Sequence, residues 1–524
     1  MTKFYDANGA VVYNGDCLEV LRGLEDNSVD SIVTDPPYGL SNTDPDHVVE
    51  AISKWATGER DFTPAGKGFM GKAWDAFVPP PAVWDECFRV LKPGGHMLVF
   101  AGSRTQDLMG LSVRMAGFEI RDGIAWIYGS GFPKSMDISK AIDKSAGAER
   151  EVVGSKRMVG SAAQDWSEKG DKLFAGNTSS VGVPARDIPI TAPSTEMAKE
   201  WEGWGTALKP ALEPIIVARK PVSEKTVAAN VLKWGVGGIN IDGTRVGNEE
   251  VVINTFDNGA KPFGDAVGEP YTGRKSVGRW PANVMFTHAE DCVEVGTAVE
   301  IISNHNAPQG TFAGGDPNRG SDTSEYRDYE VATAVFECVD GCPVKEVNRQ
   351  SGISKSRAGK MAVPDIRSGK YGSEYGARED IDGTVRGFDD AGGASRFFYT
   401  AKANKKDRNE GLEHLEEVSV GSYDGNIDSE GTRKLGADPA KPNKPGHNFH
   451  PTVKPTSLMR ELVRLVTPKG GIVLDPFTGS GSTGKAAILE RFQFVGIELT
   501  SEYLLIIEGR LNHAAKQVDG ELDF

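Results

Sequence analysis

The sequence predicts an α/β fold, a largely parallel sheet covered by helices on both faces and interrupted by a long loop-rich insert. Three observations predict it. Short apolar runs alternate with helical periodicity between residues 11 and 102. After Pro221 the composition turns rich in Gly, Asp, Ser and Asn and stays so as far as residue 445. A strand, a glycine turn, a helix and a second strand then follow between 470 and 499.

Taken in order, "VVYNGDCLEVLRGL" (11–24) reads as a strand ending at Gly15-Asp16 and a helix with leucines at 18, 21 and 24. "SIVTDPPYGL" (31–40) is a strand from Ser31 to Thr34 that stops on an acid, then stiffens at two prolines and offers an aromatic ring. "VWDECFRVLKPGG" (83–95) is an amphipathic helix closed by Pro93-Gly94-Gly95, and "HMLVFAG" (96–102) a buried strand. Further strands are expected at 124–129 and 213–220, and in the insert at 279–288 and 395–402. The stretches 306–327 and 353–395 read as long loops. Order returns with a helix at 455–466, strand "GGIVLDPF" (470–477), turn "TGSGSTG" (478–484), a helix and strand "FQFVGIEL" (492–499). Residues 1–220 and 446–524 are thus two halves of one sheet domain, and 221–445 is the insert.

With 524 residues the chain has room for roughly two or three domains of ~100–200 residues. A net charge of -15 and a pI near 5.2 speak against a chain that coats nucleic acid nonspecifically, because phosphate binding needs Lys and Arg. Local basic clusters at 216–221, 399–408 and 441–447 still allow a confined groove, although ordinary solvated lysines explain each as well. No apolar run approaches the ~18 residues of a membrane span. Five cysteines (Cys17, Cys87, Cys292, Cys338, Cys342) argue against a disulfide framework. A soluble protein of a reducing cytoplasm is expected.

"GSGSTGKA" (479–486) has the spacing of a phosphate loop, yet Ala486 stands where the magnesium-binding hydroxyl belongs. An ATPase is therefore the minor reading, with Lys485 a surface lysine of the first helical turn. A glycine turn between strand and helix also lets a nucleoside cofactor lie against the backbone, with an acid at the tip of the next strand taking the ribose hydroxyls. Glu498 stands about 20 residues beyond the turn, as that arrangement requires.

"DPPY" (35–38) together with "DPFTGSG" (475–481) resembles the S-adenosylmethionine-dependent amino-methyltransferases of DNA, in the permuted order that puts the catalytic motif first. "NGDCLEVL" (14–21), "GFMGKAWD" (68–75), "GASRFFYTAK" (393–402) and "HPTVKP" (450–455) extend the resemblance to phage and bacterial members. It implies a Rossmann-like methyltransferase sheet, circularly permuted, with the target-recognition region in the insert and double-stranded DNA as partner. It further implies that Asp35 and the backbone carbonyl of Pro36 accept hydrogen bonds from a base amine, that Pro37 stiffens the turn, and that Tyr38 stacks on a flipped-out base. Asp16, Cys17, Asp475, Pro476, Phe477, Gly479, Gly481 and Glu498 would hold the cofactor, with Lys454 near its methionine carboxylate. Asp16 could equally cap the following helix. Asp in the first motif position goes with adenine N6, Ser with cytosine N4. Enzymes with Asn there methylate RNA bases or protein glutamine, whereas the permuted order and the large insert favour DNA. A free-standing methylase and the modification half of a restriction system with a cognate nuclease, as monomer or homodimer, are both open. A catalytically idle DNA-binding regulator is the rival from another class.

Inside the insert, His288 and Cys292 form HxxxC, and Cys338 and Cys342 form CxxxC. One imidazole and three thiolates could close a tetrahedral structural zinc site. The alternative is three thiols and a surface histidine with no metal.

Overall fold

The computed structural model describes residues 2–40, 44–66, 75–129, 135–159, 163–164, 186–254, 273–289, 292–302, 329–340, 342–355, 391–402, 405–416, 418–420 and 444–520. Residues 68–74, the loop expected over 306–327, most of that over 353–395 and parts of two basic clusters lie outside them.

Residues 1–220 contribute strands β1 (Thr2–Ala7), β2 (Ala10–Asn14), β3 (Val29–Thr34), β4 (Leu91–Phe100), β5 (Glu119–Ile127) and β6 (Leu212–Arg219). Their helices include α1 (Cys17–Arg22), α2 (Pro45–Thr57), α3 (Pro81–Val90) and α4 (Gln106–Met115). From the insert come β7 (Val284–His288), β8 (Val293–Ile302), β9 (Tyr329–Glu337), helix α5 (Pro343–Ser351), β10 (Tyr399–Lys402) and the short helix α6 (Lys405–Asn409). The C-terminal part adds α7 (Thr456–Val466), β11 (Ile472–Asp475), α8 (Ser482–Leu489), β12 (Gln493–Glu498) and α9 (Leu504–Val518).

Ten strands form one sheet in the order β1-β2-β12-β11-β3-β4-β6-β5-β7-β10. Neighbours from β2 to β4 run parallel, and β6 lies antiparallel between β4 and β5. Successive residues of the central strands alternate between two buried layers. Val33, Leu98, Phe100 and Val473 pack with Leu458, Leu462, Ala487 and Leu511 of α7, α8 and α9. Ile32, Met97, Val99 and Leu474 face Val20, Trp55, Trp84 and Met109 of α1 to α4 on the other side. Period-2 alternation with both faces apolar is what a sheet sandwiched between helices requires. The fold is α/β, of the Rossmann-like class.

Three details differ from the expectation. Helix α3 ends at Val90, and Pro93-Gly94-Gly95 lies within β4. There the register against β3 shifts between Val29 and Ser31. Gly94 takes φ +84°, and its N–H and the Gly95 carbonyl pair with Lys220 at 3.0 Å each. A Pro-Gly pair that would end a helix here makes a bulge, because a strand stands beside it to receive the backbone. Two strands of the insert, β7 and β10, extend the main sheet beyond β5, so the insert shares its hydrogen-bond ladder. Finally, Lys485 is not a surface lysine: it is 1% exposed.

Candidate active site

Strands β11 and β3 are adjacent, with Val473 opposite Ser31 and Leu474 opposite Ile32. Their C-terminal ends carry the two motifs. The Thr34 hydroxyl donates to Asp475 Oδ1 at 2.7 Å and ties the ends together. A crevice at the carboxyl ends of strands, where the winding reverses, is where such sheets place ligands.

Asp35 follows Thr34 directly. Its Oδ1 accepts from the Tyr38 hydroxyl at 2.8 Å and its Oδ2 from Lys454 Nζ at 2.6 Å. The Tyr38 hydroxyl also lies 2.9 Å from Glu213 Oε2, and Lys454 Nζ 3.3 Å from the same oxygen. Lys454 is thus held between two carboxylates, and its Nζ stands 5.0 to 5.9 Å from the ring centres of Phe100, Tyr38 and Trp126. Burial pulls the Lys454 ammonium down, yet Asp35 and Glu213 outweigh it and raise its pKa above that of an ordinary lysine. Burial, then the same two carboxylates, lifts the Tyr38 phenol well above its usual range. The Lys454 ammonium thus pairs with the motif acid, while its carbonyl accepts from the Ser482 hydroxyl beside the glycine turn at 3.1 Å. Glu213, on β6, went unnoticed in the sequence, its one signal being an acid at the head of the apolar run "EPIIVARK".

The glycine turn between β11 and α8 needs the left-handed backbone at Gly479 (φ +54°) and Gly481 (φ +76°). A Cβ on Gly479 would stand 3.0 Å from the His450 imidazole, so the turn and "HPTVKP" close on each other. Glu498 Oε2 accepts from Gly479 N–H at 2.8 Å and Oε1 from Thr500 N–H at 2.7 Å. Asp475 Oδ1 also accepts from Phe477 N–H at 3.1 Å. Burial raises both acids, Asp475 to about 6 and Glu498 to about 7. Pro476 is buried behind the turn, and the half-buried Phe477 leans on Trp84 at 6.3 Å between ring centres.

Asn14 of β2 stands opposite Glu498 of β12, which brings Asp16 to the same end of the sheet. Asp16 caps α1, its Oδ1 accepting from Leu18 N–H at 2.9 Å and Glu19 N–H at 3.2 Å. Burial, with Asp16 nearby, pushes the Cys17 thiol up to about 12.

Lys485 has a different environment from a phosphate-loop lysine. Its Nζ donates to Asp407 Oδ1 at 2.8 Å and Glu410 Oε2 at 2.9 Å, and the buried Arg510 stands 3.5 Å from Asp407. The charge is committed within the protein. The cluster pins α6 of the insert to α8.

The ligand atoms of His288, Cys292, Cys338 and Cys342 lie within 4.8 Å of one another. All four residues belong to the insert.

Residues 29–145 and 394–509 match the DNA methylase family N6_N4_Mtase. The DNA adenine methyltransferase YhdJ of Escherichia coli (strain K12) is 42% identical over 73 residues, 14% of this chain and 25% of that protein. The type II methyltransferase M.HindIII of Haemophilus influenzae is 24% identical over 246 residues, 44% of this chain and 64% of its own. The chain therefore spans less than two thirds of the length of either relative. Among solved structures, a putative DNA modification methylase from Thermus thermophilus complexed with S-adenosyl-L-methionine aligns over 96% of this chain and 95% of its own, at 12% identity and a TM-score of 0.30. The PvuII DNA methyltransferase (cytosine-N4-specific) aligns over 97% and 92%, at 10% identity and 0.33. The two matched blocks are the ones that carry the DPPY turn and the glycine turn to adjoining strand ends, and this likeness supports an amino-methyltransferase of the DNA methylase type.

Proposed function

We propose that this crevice transfers a methyl group from S-adenosylmethionine to N6 of an adenine flipped out of duplex DNA. The observation that carries the proposal is the pairing of β3 with β11, which puts Asp35-Pro-Pro-Tyr beside the glycine turn with Thr34 bonded to Asp475. The match to the amino-methyltransferase family supports it.

An exocyclic amine is a poor nucleophile because its lone pair is delocalised into the ring. Asp35 and the Pro36 carbonyl would draw its two hydrogens out of the ring plane and free that pair. Each carboxylate oxygen has two acceptor sites, so Asp35 can serve the amine while Tyr38 and Lys454 hold its other sites. S-adenosylmethionine supplies the electrophilic methyl when bound. The turn at Gly479 and Gly481 leaves the backbone bare for its approach, Glu498 would take the ribose hydroxyls, Asp16 the adenine amine, and Asp475 with Phe477 the methionine end. Unpairing a base costs a few kcal/mol, which stacking on Tyr38 would offset in part.

The test is methyl transfer from labelled S-adenosylmethionine to unmethylated genomic DNA, with nucleoside analysis of the product. N6-methyladenine is expected. N4-methylcytosine would overturn the choice of base, and cofactor binding without labelled DNA would overturn the choice of substrate.

Lys454→Met should lower kcat on the order of 10²-fold, through loss of the cation that fixes Asp35, while leaving the Kd for S-adenosylhomocysteine near wild type. A weakened Kd with unchanged kcat would instead place Lys454 at the methionine carboxylate.

Cofactor binding should depend on pH through Glu498. Its carboxyl, held at about 7, accepts from the ribose most strongly when ionised, so protonation on the acid side removes the charge and leaves a weaker acceptor. Kd is expected to weaken about tenfold from pH 8 to pH 6, with Asp475 adding to the loss further down. Isothermal titration calorimetry with S-adenosylhomocysteine would show this, and a flat profile would remove Glu498 from the cofactor site.

A further inference from the structure

We propose that His288, Cys292, Cys338 and Cys342 hold one structural zinc ion that clamps the base of the β8–β9 hairpin to β7, the next-to-last strand of the main sheet. The site stands on its ligand geometry and on the topology around it.

Zinc bound at about 2.3 Å by sulfur and 2.0 Å by nitrogen puts neighbouring ligand atoms of a tetrahedron roughly 3.5–3.8 Å apart. His288 Nδ1 lies 3.2 Å from Cys338 Sγ and 3.6 Å from Cys342 Sγ, and all four ligand atoms fall within 4.8 Å of one another. The donor set is closed, one imidazole and three thiolates with no water position, as structural zinc prefers. All three cysteines are free of disulfides.

The long gap between the two ligand pairs has a simple cause. Strands β8 and β9 fill its two ends and pair antiparallel from Val293 opposite Glu337 to Ile302 opposite Tyr329. Cys292 and Cys338 flank that first pair. Hairpin closure therefore brings together ligands that are distant in sequence. His288 is the last residue of β7, and Cys342 is the N-cap of α5. One ion would join β7 of the main sheet, both hairpin strands and the following helix.

Among the described residues the surrounding core is small. Phe286, Cys292, Cys342 and Val344 are its buried members, with Ile127, Phe336 and Phe398 packed on it. A cluster of this size is the kind that a metal consolidates. The clamp also stands next to the crevice wall, because Thr287, adjacent to His288, accepts from the Trp126 indole N–H at 2.6 Å.

The experiment is elemental analysis of the full chain purified without chelator, together with the visible spectrum of the chain reconstituted with cobalt(II). One zinc per chain is expected, with tetrahedral d–d bands and thiolate-to-cobalt charge transfer in the cobalt form. Cys292→Ser combined with Cys338→Ser should lose the metal. Because that variant could misfold, the wild-type cobalt spectrum stands as a second reading. Substoichiometric zinc, iron in its place, an octahedral cobalt spectrum, or a full zinc content in the folded double variant would each overturn the proposal. Metal content is read independently of methyl transfer, so neither result decides the other.

Discussion

Asp35→Ala is expected to reduce methyl transfer on the order of 10³-fold while the chain stays folded and still binds S-adenosylhomocysteine. The proposed chemistry asks for an acceptor that strengthens as the amine nitrogen pyramidalises, and Ala supplies none. The fold should tolerate the change, because Lys454 keeps Glu213 as a counter-charge at 3.3 Å and Tyr38 keeps the same carboxylate at 2.9 Å. Asp35→Asn retains one carbonyl acceptor and should fall between the two. Single-turnover transfer to DNA, run beside cofactor calorimetry, measures both halves of the expectation. Activity near wild type in the Ala variant would mean that the amine is held elsewhere.

The largest effect on stability is expected at Lys485. Its ammonium neutralises Asp407 and Glu410 in a buried cluster, so Lys485→Ala removes the cation that bridges the two carboxylates, leaving Asp407 with Arg510 at 3.5 Å and the Thr456 N–H at 2.7 Å. Breaking a buried ion pair by removing one partner costs about 3–5 kcal/mol. Denaturant unfolding should show a loss of that size. Adding Glu410→Gln to Lys485→Met should recover part of it, since Asp407 then keeps the buried Arg510 as its counter-charge and the charge on the second carboxylate is gone. The same variants bear on ATP hydrolysis: a lysine spent on two carboxylates does not cradle a phosphate. Hydrolysis that survives Asp35→Ala and dies with Lys485→Met would revive the phosphate-loop alternative.

These residues show what the sequence could and could not carry. The central strands were legible because each is a short apolar run bounded by turn residues, and the strings at 35–38 and 475–481 were legible because few contexts demand them. Glu213 was not, since an acid on a strand has no local signal until its neighbours are known. Lys454 lies between the two motifs in three dimensions, and sequence spacing alone does not say which one it serves. The burial of Lys485 is decided by Asp407 and Glu410, which come from another part of the chain. The Pro-Gly-Gly at 93–95 carries a local preference that a helix end and a strand bulge satisfy equally, and the backbone of Lys220 settles it.

Strands β7 and β10 are laid onto the main sheet in parallel register, Met285 opposite Tyr399 and Phe286 opposite Ile127. The insert is consequently not a cassette. A chimera that exchanges 221–445 wholesale would strip two rungs from the scaffold and expose the edge of β5, whereas cuts at Val293 and Glu337, where the hairpin strands face each other, would leave every rung in place. Any exchange of insert residues that is to spare the sheet is best cut at those two positions.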